Sequence, residues 1–268
     1  MGVGGAGMAP IAELLVKGGG QVSGCDRDLG AAAVALRVHG VKLMLDHGAA
    51  HVENAFALVI TSAVSPDHPE VAAARQRGIP VLKRAQALGS IVNQGRVIAI
   101  SGTHGKTTTT AMASAALMEA GLDPTGFVGG RVEGWGGGLQ VGAGSLFVVE
   151  ADEYDRSFFA LRPMIAVVTS IEADHLEIYG DLAGLEDAFA TFLDSVPAEG
   201  RIIACMDDDG VRRVISRFEG EGQIVDARQT GNIARVVLRS SPRIPFPEQP
   251  NQLDEKKRLP MYKELQKI

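Results

Sequence analysis

Seven consecutive residues, Gly102, Thr103, His104, Gly105, Lys106, Thr107 and Thr108, hold the densest chemistry in this 268-residue chain. Two glycines let a backbone fold tightly enough to aim several N–H groups at one anion, with a helix N-terminus behind them. Lys106 adds a mobile positive charge, and Thr107 places a hydroxyl where phosphate-binding loops coordinate Mg²⁺. The run misses the general G-x-x-x-x-G-K-[ST] pattern because Ile100 stands in the place of the first glycine. A threonine-rich helix start in which threonines 107–110 merely cap is the plainer alternative.

Acids follow at the ends of apolar runs. Residues 146–149 read as a strand leading into Glu150, Ala151, Asp152 and Glu153. Glu150, first off the strand, is placed to hold the Mg²⁺ that touches Thr107, whereas Asp152 and Glu153 read as a solvated acidic turn. A second strand, 165–169, runs into Glu172, Asp174 and His175. Mg²⁺ prefers oxygen ligands, so spacing alone makes His175 a hydrogen-bonding group rather than a metal ligand.

The N-terminal residues carry a different phosphate signature. Gly2, Gly4 and Gly7, with Gly5 between them, satisfy G-x-G-x-x-G, and Asp26 follows about 20 residues on, the spacing of a ribose contact. Thr61 and Ser62 end a strand where such sheets take ligands, although a serine there also reads as a helix cap. These features alone allow a nicotinamide-linked oxidoreductase. The second phosphate loop, at Lys106, argues against it.

The elements that must position these groups alternate in α/β fashion. Helices are expected at 9–16, 31–39, 69–77 and 185–193, and strands at 21–25, 57–61, 79–82, 97–101 and 201–206. This predicts an α/β protein with a mostly parallel sheet: a Rossmann-like domain over 1–94, a P-loop-type ATP-binding domain over 95–220, and a tail over 221–268. Residues 126–144 hold nine glycines and read as low complexity or a ligand-contacting loop. Residues 241–260 are proline-rich and polar, the composition of a linker or disordered tail. Net charge is −6, with 46% hydrophobic and 22% charged residues, which fits a globular protein and offers no nucleic-acid footprint. Two cysteines suit a reducing compartment. The absence of an apolar run of about 18 residues points away from the membrane, so a cytoplasmic protein is expected.

Taken in order, GVGGAGM, SGTHGKTTTT, VVEADEYDRSF and TSIEADHLEIYGD resemble the Mur ligase family from residue 1 to about residue 218. The resemblance implies an ATP- and Mg²⁺-dependent ligase joining L-alanine to the carboxylate of UDP-N-acetylmuramate in peptidoglycan precursor synthesis. It implies that Lys106 contacts ATP phosphates, that Thr107 and Glu150 match Mg²⁺ ligands, and that His175 matches a residue tied to a second metal ion. Lys106, Glu150 and His175 are then the catalytic set, and Gly4, Gly5, Gly7, Asp26 and Ser62 the UDP-sugar contacts. Against the family pattern, Ser170 and Gly138 stand where asparagines are usual, and Gln86 where a glutamate is. An initial strand and a third domain are expected to be missing, so a nucleotide-binding remnant without ligase activity is the alternative.

Overall fold

The computed structural model describes residues 1–27, 30–218, 223–230 and 233–239, the last two ranges as backbone. The described residues divide into two compact units, Met1–Gln94 with Phe127–Val141, and Gly95–Gly126 with those from Gly142 to Arg239.

The first unit opens with the glycine loop, which feeds α1 (Ala9–Lys17). There follow β1 (Ser23–Cys25), α2 (Ala31–Val38), β2 (Lys42–Met44), a 3-10 turn at Ala49–Val52, β3 (Leu58–Ile60), α3 (Pro69–Gln76), β4 (Val81–Lys83) and α4 (Arg84–Val92). β1 pairs with β2 and β3 with β4, both parallel. Residues 1–3 join the ends of these pairs: Met1 N donates to Val59 O at 2.7 Å, and the amides of Gly2 and Val3 donate to Cys25 O. Val3 packs so closely that a Cβ on Gly24 would lie 2.7 Å from its side chain. The core joins Met1, Cys25, Val52, Leu58, Val71 and Ala74 on one side, and Val3, Ala9, Ala12, Leu36 and Val41 on the other.

The second unit is built on β5 (Arg96–Ser101), which runs through the lysine loop into α5 (Lys106–Glu119). β6 (Thr125–Val132) and β7 (Gly137–Gln140) come next, mostly within the first unit. β8 (Leu146–Glu150), a 3-10 segment at Tyr154–Ala160, β9 (Ile165–Val168), α6 (Leu176–Tyr179), α7 (Leu182–Asp194), β10 (Arg201–Ala204) and α8 (Asp209–Ile215) complete the α/β part. β5 lies between β8 and β9, and β9 pairs onward with β10, all parallel. The carboxyl ends of three neighbouring strands therefore deliver the lysine loop, the Glu150 segment and the Ser170 segment to one edge, where parallel sheets bind ligands. Beneath lies an aromatic core: the Phe158 ring stacks on Phe192 at 4.8 Å and meets Phe189 edge-on at 5.4 Å.

Two expectations change. The glycine-rich stretch 126–144 is not a loop, because β6 and β7 run through it with Phe127, Val128 and Leu139 buried. The stretch 221–268, expected to be linker or disordered tail, includes β11 (Gln223–Thr230) and β12 (Ile233–Arg239), paired antiparallel. The proline-rich segment 241–260 lies outside the described residues. Among the described residues no helix is long and apolar enough to cross a membrane.

Candidate functional site

The lysine loop is held by its neighbour rather than by itself. Gly102 has φ +130°, and a Cβ there would lie 2.1 Å from Thr169 Oγ1 and 2.9 Å from Ser170 N, so only glycine fits. From the loop, Thr103 N donates to Ser170 O at 2.9 Å and His104 N to Ser170 Oγ at 3.0 Å. In return Thr169 Oγ1 donates to His104 O at 2.6 Å and Glu172 N to Thr103 Oγ1 at 2.9 Å. Ser170, a departure from the family pattern, thus pins the loop through its hydroxyl. Gly105, at φ +81°, starts α5 with no side chain capping it, which leaves the helix N-terminus to the loop's own amides.

Lys106 Nζ donates to Gly102 O at 2.7 Å, to Thr103 O at 3.4 Å and to Glu153 Oε1 at 2.9 Å. An ammonium has three donors, and these three acceptors use them all. Glu153 is 1% exposed, so it is not the solvated acid its sequence context suggests. Burial pushes its carboxyl above the ordinary range, against the pull of Lys106. Its other oxygen, Oε2, is buried without a hydrogen-bond partner. The backbone turns sharply after it, with Asp155 and Arg156 at φ +52° and +56°. Tyr179 OH donates to Glu153 O, and burial with the nearby Glu153 charge pushes the phenol up to about 12.

Thr107 Oγ1 donates to Glu150 Oε2 at 3.0 Å, which joins the two residues expected to share a metal. His175 sits elsewhere on the same edge: one ligand atom each from Glu153, Asp174 and His175 lies within 4.8 Å of the others. Its Nδ1 is 3.7 Å from Asp174 Oδ1 and 3.6 Å from Glu177 Oε1, and its ring meets Tyr154 edge-on at 5.1 Å. His175 itself is in the left-handed region, φ +52°. Thr108 is exposed, as is His104, whose ring lies 3.8 Å from Glu172 Oε2. Glu153 is the residue that sequence reasoning passed over; its only signal was its position beyond an apolar strand.

In the first unit the glycine loop closes on Asp26, whose Oδ2 accepts from Gly4 N at 2.8 Å. Gly5 N bonds back to Gly2 O at 3.1 Å, and Gly7 has Arg84 where a Cβ would go. Ser62 is exposed at the end of β3, one residue past Thr61, whose methyl packs on Gly2. The other departures have local explanations. Gln86 Oε1 accepts from Lys83 N at 2.8 Å, tying the third residue of α4 back to the backbone before the helix. A Cβ at Gly138 would lie 2.7 Å from Val128 O and 2.8 Å from Pro10 Cγ, so this backbone excludes an asparagine there.

Comparison with known proteins gives two successive family matches along the chain. Residues 1–96 match the Mur ligase family, catalytic domain, and residues 100–232 match the Mur ligase middle domain. A UDP-N-acetylmuramate--L-alanine ligase of Methylibium petroleiphilum is 49% identical over 216 residues, 80% of this chain and 46% of that protein. One from Azoarcus is 45% identical over 241 residues, 90% and 52% respectively. The chain thus spans about half the length of the curated relatives it matches. Among solved structures, the UDP-N-acetylmuramate:L-alanyl-gamma-D-glutamyl-meso-diaminopimelate ligase from Neisseria meningitides superposes with TM-score 0.74 at 29% identity, covering 81% of this chain and 73% of that one. The UDP-N-acetylmuramate-alanine ligase from Thermotoga maritima gives 0.71 at 28%, covering 80% and 50%. With two Mur ligase models matched in order along the chain, and with the loop, the strand-end acids and His175 on one sheet edge, this chain belongs to the Mur ligase family.

Proposed function

We propose that this chain carries the ATP- and UDP-sugar-binding portions of a cytoplasmic amide ligase that joins L-alanine to the carboxylate of UDP-N-acetylmuramate in peptidoglycan precursor synthesis. The observation that carries the reading is the lysine loop: a glycine-built backbone cradle, an uncapped helix start, Lys106 held over it, and Thr107 on Glu150. In this reading the ATP-binding domain begins near residue 95 and the UDP-sugar-binding domain covers 1–94.

The residues fit Mg²⁺. Thr107 Oγ1 and Glu150 Oε2 are hard oxygen donors already 3.0 Å apart. Glu153, Asp174 and His175 form a second set in which a buried carboxylate oxygen lacks a hydrogen-bond partner. When bound, the cation neutralises charge on the phosphates so that a carboxylate can approach them. Lys106 does part of this itself. Its weakest contact, to Thr103 O at 3.4 Å, is the one a phosphate oxygen displaces at least cost. The amides of Gly105, Lys106 and Thr107, at the uncapped start of α5, cradle the phosphates, while Glu153 keeps Lys106 oriented.

The chemistry needs no covalent enzyme nucleophile. The muramate carboxylate attacks the γ-phosphorus as the bond to ADP breaks. The amine then attacks the carbonyl of the acyl phosphate, and the tetrahedral intermediate collapses to amide and inorganic phosphate, releasing a proton. Gly4, Gly5, Gly7, Asp26 and Ser62 supply the UDP-sugar contacts, with Asp26 setting the loop through Gly4.

Calorimetric titration with Mg·ATP and then UDP-N-acetylmuramate tests the assignment, with Lys106→Ala expected to lose nucleotide binding. Phosphate release compared with L-alanine and with the tripeptide named for the Neisseria enzyme identifies the amine. Binding without amine-dependent release assigns the chain nucleotide binding alone, and no nucleotide binding at all overturns the reading.

A further inference from the structure

The first unit contains a second cluster of ligating side chains, none of them among the residues assigned to ATP or to the UDP-sugar. Glu70, in the first turn of α3, is 1% exposed, and its Oε1 accepts from Gly48 N at 3.0 Å and from His51 Nδ1 at 3.1 Å. Cys25, the last residue of β1 and 2% exposed, donates its thiol to both oxygens of Glu70 at 3.5 Å. Ligand atoms of Cys25, His51 and Glu70 all lie within 4.8 Å of one another. His47 Nδ1 stands 3.4 Å from the same Glu70 oxygen. His68 stays outside this set, because its Nδ1 accepts from Glu70 N at 3.2 Å and so caps α3.

We propose that Cys25, His51, Glu70 and His47 form a zinc-class site that ties the end of β1 to the 3-10 turn and to α3. The separations suit the ion. Bonds of about 2.3 Å to sulfur, 2.0–2.1 Å to nitrogen and 2.0 Å to oxygen, set tetrahedrally, separate S from O by about 3.5 Å and N from O by about 3.3 Å. The observed separations are 3.5 and 3.1 Å. One thiolate and two imidazoles beside one carboxylate favour Zn²⁺ over Mg²⁺. The far nitrogen of His51 lies 3.4 Å from Asp46 Oδ1, the carboxylate–imidazole arrangement that orients a ligating histidine. As the ion enters, the thiol proton leaves to solvent and the His51 proton shifts from Nδ1 to Nε2, facing Asp46, so a dication replaces the hydrogen bonds now joining Cys25 and His51 to Glu70. Cys25, His51 and Glu70 are the three ligands already gathered, and His47, beside the same Glu70 oxygen, closes on the ion as the fourth; four protein ligands make the site structural rather than catalytic.

Cobalt(II) is the probe, because a thiolate ligand gives it a charge-transfer band. Added to the chain carrying Cys205→Ser, so that Cys25 is the remaining thiol, one equivalent is expected to produce that band and a tetrahedral ligand-field spectrum. Zn²⁺ should bleach both. Zn²⁺ binding by calorimetry should weaken at least about a hundredfold in His51→Gln and in Glu70→Gln, and Zn²⁺ should raise the melting temperature of the parent but not of His51→Gln. Far-UV circular dichroism establishes that each variant is folded. His51→Gln, at a half-buried position, covers the case in which Glu70→Gln fails to fold. Absence of the thiolate band, or a Zn²⁺ affinity unchanged by His51→Gln, overturns the proposal and leaves a carboxylate bonded to imidazole and thiol.

Discussion

Replacing Lys106 by methionine removes the charge but keeps the stem, and leaves Glu153 buried without its counter-ion. A lone carboxylate in that position costs several kcal/mol, and the folded chain lowers the cost by taking up a proton. Protonating an acid of ordinary pKa, about 4.3, costs ~3.7 kcal/mol at pH 7, at about 1.36 kcal/mol per pH unit. That is the ceiling for the titration part of the loss. Because burial already holds the Glu153 carboxyl above its ordinary range with Lys106 present, the increment falls below the ceiling. Adding the lost charge-assisted bond of 2.9 Å, the expected destabilisation at pH 7 is ~2–4 kcal/mol. The sign with pH follows from the raised folded-state value. The folded chain holds the Glu153 proton more tightly than the unfolded chain, so its stability contribution is complete below the ordinary carboxylate pKa and is lost as pH rises through the folded one. Lys106→Met widens that window upward, so its deficit should shrink to under ~1.5 kcal/mol near pH 5. Urea unfolding followed by far-UV circular dichroism at pH 7 and pH 5 measures both, and adding Glu153→Gln should recover at least half the pH 7 loss. A deficit equal at the two pH values, or no recovery in the double variant, would refute the buried-pair account.

Three further outcomes are expected. Gly102→Ala should lower stability by more than about 2 kcal/mol and abolish nucleotide binding, since its Cβ would lie 2.1 Å from Thr169 Oγ1 at a φ that L-residues avoid; thermal melting and calorimetry check this, and a variant that binds normally would be contrary. Phe158→Ala should cost ~3–5 kcal/mol in urea unfolding by emptying the stack on Phe192 and Phe189. Asp208→Ala should cost ~2–3 kcal/mol, because Oδ1 both caps α8 through Val211 N at 2.8 Å and receives Ile171 N at 3.1 Å; Asp208→Asn should retain more than half of that by the same measurement.

How far the sequence could be read depends on the range of each interaction. The lysine loop was legible because glycine, lysine and threonine act within seven residues. The helices and strands flanking it were legible because their apolar periods are local. Glu153 was not. Its burial depends on the left-handed turn at Asp155 and Arg156, and on Tyr179 reaching back to its carbonyl, neither of which has a short-range signal. The stretch 126–144 misleads for the opposite reason. Its glycines suggest a loop locally, while Phe127, Val128 and Leu139 are drawn into burial by tertiary packing. Cys25, His51 and Glu70 have no motif spacing between them; parallel β1, the 3-10 turn and α3 bring them together.

The two buried glutamates illustrate what a partner's chemistry permits. Glu153 is met by an ammonium, which donates hydrogen bonds and cannot itself ligate a metal, so the pair orients Lys106 at the phosphate loop and leaves only Glu153 Oε2 open to a cation. Glu70 is met by imidazoles and a thiol, each able to exchange a proton for a bond to a cation. Equal burial of a carboxylate therefore has opposite consequences in the two units: with lysine it readies a phosphate cradle, and with histidine and cysteine it readies a metal cage. The cross-test follows directly. Lys106→Met should leave cobalt binding at Cys25 unchanged, and His51→Gln should leave Mg·ATP affinity within about twofold, the additivity expected of sites that share no partner. If either substitution moved the other site's affinity tenfold, the two carboxylates would belong to one coupled system rather than to two independent ones.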